Sequence, residues 1–168
     1  MKLRYRVALP SNGNYAGTTP MRVTVWVANL KGQEWVQPTT GDFNKLLHIT
    51  PTTEYGEYSI EPETSMLPVN DEYWNVYSRR SYVVGFQNGG GAGGTYLQTF
   101  GSECRAYYED EVDLRYLCRK WAFDDNSNFP RNVGLYMFAT ATLCSGSTMP
   151  TVLPTVNALV VGSFTDNQ

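Results

Sequence analysis

Residues 132–144, NVGLYMFATATLC, limit the fold of this chain more than any other stretch. Val133, Leu135, Met137, Ala139, Ala141 and Leu143 are all apolar, and between them Tyr136 and Phe138 alternate with Thr140 and Thr142. Apolar residues at every second position, among good β-formers and without helical spacing, predict a strand. Such a strand needs partners on both edges and a second layer over its apolar face.

Other stretches repeat the pattern. Residues 2–9 put Lys2, Arg4 and Arg6 on one face and Leu3, Tyr5, Val7 and Leu9 on the other. In residues 21–30, Val23, Val25 and Val27 alternate with Arg22, Thr24 and Trp26. Residues 72–86 form a third strand, in which the adjacent Arg79 and Arg80 hint at a bulge or turn. Residues 114–123 (LRYLCRKWAF) and 155–165 (TVNALVVGSFT) add two more, and 95–108 is a further candidate. The run Glu109, Asp110, Glu111, Val112, Asp113 reads as an acidic patch on a solvated face.

From residue 31 to residue 70 the strand signal lapses. Within that interval Phe43, Leu46 and Leu47, with Asp42 or Thr40 to cap the first turn, predict a short helix. Residues 88–94 (NGGGAGG) are a loop and not a phosphate cradle, since no Gly-Lys-Ser/Thr follows. Six strands, one short helix, long connections and no internal repeat predict a single all-β domain over residues 1–168. The expected architecture is an antiparallel β-sandwich of jelly-roll type.

Composition narrows the function. A chain of 168 residues can bury roughly 70% of its unfolded surface without staples. No apolar run approaches the roughly 20 residues of a membrane helix, and the first ten residues lack the features of a secretory signal. Cys104, Cys118 and Cys144 are odd in number and widely spaced, and Cys118 and Cys144 read as buried free thiols. With His48 the only histidine and no Cys-x-x-Cys, neither a zinc site nor a cofactor is expected.

Catalysis is not expected either. His48 lies near no nucleophile motif, and Glu54, Glu57, Glu61 and Glu63 occupy a loop of Thr, Tyr and Pro with no apolar pocket evident. Glu109, Asp110, Glu111 and Asp113, or Asp124, Asp125 and Asn126, offer oxygen ligands for a cation shared between subunits. Neither group follows the spacing of a calcium loop. A net charge of −3 argues against strong nonspecific nucleic-acid binding by the whole domain. Twelve tyrosines suit a surface that is sticky yet soluble.

The order and wording of the strands resemble the single jelly-roll capsid proteins of small circular single-stranded DNA viruses, above all the geminivirus-like coat proteins. The likeness rests on MRVTVWVANL, on the short helix at GDFNKLLHI, and on EYWNVYSRRSYVV, where an aromatic precedes basic residues. It rests further on RYLCRKWAF followed after a polar gap by NVGLYMFATATLC, and on the terminal TVNALVVGSFTD. It spans nearly the whole chain through patterns, not invariant motifs.

The resemblance implies a structural protein of the virion, assembled in the host nucleus or cytoplasm from copies of itself around a single-stranded DNA genome. Lys2, Arg4, Arg6, Arg115, Arg119 and Lys120 are the candidate genome-facing residues. Trp35, Tyr55, Tyr58 and Met66 are the candidate interface residues. The family carries an arginine-rich arm and a further strand ahead of the region matching residues 2–9, and neither precedes Met1 here. That departure implies weak genome binding and an open sheet edge that invites partner strands. The rival expectation is a lectin-like jelly-roll module that stacks its ligand on Trp26 or Trp35.

Overall fold

The computed structural model describes residues 1–9, 20–31, 38–48, 62–85, 104–105, 107–115, 134–144 and 153–162, with the backbone alone at 104 and 105. The strands are β1 (Lys2–Ala8), β2 (Met21–Leu30), β3 (Trp74–Val84), β4 (Cys104–Arg105), β5 (Tyr107–Asp113), β6 (Tyr136–Leu143) and β7 (Thr155–Val161). Between β2 and β3 come a one-turn helix, α1 (Thr40–Phe43), and a 3₁₀ turn at Pro62–Met66.

The strands form two layers, ordered β5-β1-β7 and β4-β3-β2-β6. All pairings are antiparallel except the short one of β4 with β3. The chain crosses from the first layer to the second for β2 and β3, back for β5, over again for β6, and back for β7. That alternation is the path of a jelly roll and not of a meander. The protein is an all-β sandwich, as the period-two patterning predicts.

Between the layers, Leu3, Tyr5 and Val7 of β1 and Val112 of β5 meet Val23, Val25 and Val27 of β2 and Val84 of β3. Each fully buried valine is worth about 1.5–3 kcal/mol over an exposed one. The middle strand β2 is buried on its other face too. Trp26, Ala28 and Leu30 pack there with Trp74, Leu46 and Leu47 in a second cluster.

That cluster is built from the interval in which the strand signal lapses. Asp42, three residues after Thr39, accepts from the Thr39 backbone N–H and hydroxyl, both at 2.7 Å, which closes the single helical turn. Tyr73 donates to its other oxygen at 2.9 Å, and Trp74 Nε1 to its backbone carbonyl at 3.1 Å. The fully buried Asn70 donates to the Lys45 carbonyl at 2.9 Å. The predicted helix therefore stops at Phe43, and Leu46 and Leu47 are anchored by turns and by the bridge of Leu47 to Val69.

Other expectations are corrected or extended by the structure. The bulge is not at Arg79-Arg80: Val27 pairs with Ser78 and Ala28 with Val76, so Tyr77 is the extra residue. The acidic run 109–113 lies on strand β5, with Glu109, Glu111 and Asp113 facing solvent as expected and Asp110 turned inward. Leu114 and Arg115 follow outside the strand, and the rest of the strand expected at 114–123 lies outside the described residues. Of the two edges expected to be partnered, β6 has one filled among the described residues, by β2. Cys144 lies just past β6 and is exposed. Where β3 ends, Gly85 holds φ +153°, and a Cβ there would meet the Pro20 Cα at 2.6 Å.

Trp26→Ala should cost about 3–5 kcal/mol in denaturant unfolding, because Trp26 is 1% exposed and its removal empties the second cluster. Leu159→Ala, at a position 63% exposed, should stay within about 0.5 kcal/mol of the parent. Equal costs for the two would overturn this placement of the core.

Candidate functional site

The outward face of the first layer gathers the charged candidates. The register sets Lys2 opposite Asp113, Arg4 opposite Glu111 and Arg6 opposite Glu109, so unlike charges face each other down the ladder. Glu111 binds Lys2 Nζ at 2.6 Å and Arg4 Nε at 2.8 Å. Arg6 reaches Glu109 at 3.9 Å and lays its guanidinium over the Tyr107 ring, 4.8 Å from its centre. Arg115 clasps Asp113 at 2.5 Å.

Lys2 and then Arg4 hold the Glu111 carboxyl below the usual glutamate range, and Arg115 holds Asp113 at about 2. All of these side chains are a third or more exposed. Water screens pairs so placed, and they exchange partners at little cost. Asn157 and Leu159 of β7 complete a shallow depression of about 700 Å³ on the same face.

Of the genome-facing candidates, Lys2, Arg4, Arg6 and Arg115 thus share one surface, and each has a carboxylate beside it. Arg119 and Lys120 lie outside the described residues, as do Trp35, Tyr55 and Tyr58 among the interface candidates. Met66 ends the 3₁₀ turn and is 83% exposed. Trp26 cannot be the stacking platform of a lectin-like module. It is buried beneath Arg79, whose guanidinium lies 4.8 Å from its ring centre, and stacks on Phe138. Among the described residues no group of three or more His, Cys, Asp or Glu side chains could hold a metal ion. Among the described residues no helix is long and apolar enough to cross a membrane.

A second polar cluster, which alternation alone hides, ties the layers together. Asp110 of β5 faces inward, where Arg80 and Tyr82 of β3 both donate to it. Arg80 also reaches the Glu111 carbonyl at 3.1 Å, and the Tyr5 and Tyr82 hydroxyls lie 2.6 Å apart. Burial works to raise the Asp110 carboxyl, but bonds from Tyr82 and then Arg80 outweigh it and hold it below its ordinary value. Burial first, then donation to Asp110, pushes the Tyr82 phenol far above its usual range. The available signal was Arg80 and Tyr82 at alternate positions on a strand whose same face carries Val84.

Because the folded carboxyl is depressed, its stabilisation is complete above the ordinary value of 3.8 and is lost as pH falls below it. Urea midpoints measured from pH 6 down to about pH 2 should fall, and Asp110→Asn should flatten that limb. Tyr82→Phe should cost about 1 kcal/mol at neutral pH. An acid limb unchanged in Asp110→Asn would remove Asp110 from this role. Set beside known proteins, the chain matches no family model, no curated protein and no solved structure, so the two-layer β-sandwich itself is what its geometry establishes.

Proposed function

We propose that this chain is a shell-forming subunit, the capsid protein of a small circular single-stranded DNA virus, which associates with copies of itself around the genome in a virion. The observation that carries the reading is apolar surface placed at the rim of a sandwich. Leu159, Val160 and Val161 of β7 are 63%, 55% and 42% exposed, and Val160 belongs to the face that looks toward the core. Tyr77, Tyr107, Leu153 and Met66 add exposed large side chains elsewhere. Surfaces of this kind mark protein contacts. The jelly-roll path and the sequence resemblance point the same way. The lectin-like alternative has lost the buried Trp26 as its platform.

Genome contact through the first layer runs against its own carboxylates. Phosphates meet Lys2, Arg4 and Arg6 only by displacing Glu109 and Glu111, so this face binds DNA weakly and with steep salt dependence. Single-stranded DNA affinity should therefore rise in the double variant Glu109→Gln/Glu111→Gln and fall in Lys2→Ala/Arg4→Ala/Arg6→Ala. Titrations at several salt concentrations measure both, and no change in either would move the genome to another surface. Electron microscopy of concentrated protein, with and without single-stranded DNA, tests the shell reading. Closed particles or regular arrays are expected, and a chain that stays monomeric throughout would end it.

A further inference from the structure

Among the described residues the two layers end on the same flank. Asp110 and Tyr108 of β5 touch Arg80 and Tyr82 of β3, so β5 lies over β3. By layer order, β7 and β6 then fall together at the opposite side. Each has one strand partner among the described residues, β1 for β7 and β2 for β6.

Inner-face positions of β6 and β7 are exposed on this flank. In register with the buried Leu3 and Tyr5, Val160 and Ala158 of β7 are exposed, and so is Ala139 of β6, which pairs with the buried Val25. Neither β6 (YMFATATL) nor β7 (TVNALVV) contains Lys, Arg, Asp, Glu or Pro. The other edge of the first layer, β5, is dense with Glu109, Asp110, Glu111 and Asp113. Charge is the common guard of an edge strand, and β6 and β7 are without it.

We propose that this flank is a dimer interface, in which β6 and β7 each pair antiparallel with their own counterparts in a second copy. The proposal rests on the self-association reading and names its first contact. A second copy fits for a geometric reason. A two-fold axis perpendicular to the layers turns every strand antiparallel to its image, so one operator satisfies both edges at once. The layers then continue across the axis as sheets of six and eight strands, and Val160, Ala158 and Ala139 are covered by the same residues of the partner.

Because the strands are uncharged, self-pairing sets no like charges opposite each other. Seven paired residues make a flank roughly 24 Å long, and two layers about 10 Å apart make it roughly 20 Å deep. Joining two such flanks buries on the order of 1,000 Å², the lower bound of a specific interface, which a single strand pair would not reach.

The test uses the full chain and its charged variant Leu159→Lys/Val161→Lys. Both positions already face water, so the fold should tolerate the change, and circular dichroism checks that it does. Sedimentation velocity from about 1 to about 100 µM should show a dimer in the parent and an at least roughly tenfold weaker one in the variant. Asn157→Cys, Ala158→Cys and Leu159→Cys, introduced singly, locate the axis. The one nearest it should form a disulfide with its own copy, seen by mass spectrometry as a β7 peptide joined to itself.

A parent that stays monomeric at the highest concentration overturns the inference, as it would if further strands of another segment already filled the flank. So does a dimer that ignores the lysines and gives no self-cross-link. Particles that form equally well in the lysine variant sink the edge pairing and leave the shell reading standing. A cross-linked dimer that never grows larger supports the pairing and sinks the shell.

Discussion

Asp110 faces inward, and that orientation governs how the two layers meet. A carboxylate turned toward a valine core must find donors or lose its charge. The Glu111 backbone N–H supplies one from within β5, and β3 supplies the others across the layers through Arg80 and Tyr82, so β5 is held above β3. Tyr5 then fills the space beside Tyr82, with the two rings edge-on and 6.0 Å apart, and brings β1 over the middle of the second layer. The apolar contact of Val7 with Val23, Val25 and Val27 is strong but indifferent to small sideways shifts. The polar clasp is directional, and it selects one alignment among many that would bury similar area.

Much of this sandwich was legible in the sequence because its strands alternate. β1, β2, β3, β6 and β7 fall within the predicted stretches, and the valines of β2 face the core as their spacing requires. β5 was hidden for a physical reason. Tyr-Tyr-Glu-Asp-Glu-Val-Asp has poor β-propensity, and its strand is stabilised by cations on β1 that are distant in the chain. The second cluster was hidden likewise, since Asp42 and Asn70 order irregular backbone through single polar side chains that leave no periodic trace.

The candidate site was half legible. Lys2, Arg4 and Arg6 do share a face, but nothing local to residues 2–9 reveals that Glu109 and Glu111 stand opposite them. The stretch 132–144, expected to be enclosed on both sides, has a strand partner on one side among the described residues. Alternation reports which way side chains point and is silent about what lies beside the backbone.

The second layer wears its own chain as a lid, with α1, the 3₁₀ turn and Trp74 closed over Trp26 and Phe138, whereas the first layer shows a bare lattice of acids and bases. The molecule is therefore polarised through its thickness like a roof tile, weatherproofed on one side only. Copies laid edge to edge across an axis normal to the layers all present the same side, so a sheet of them has a top and an underside before anything else is bound.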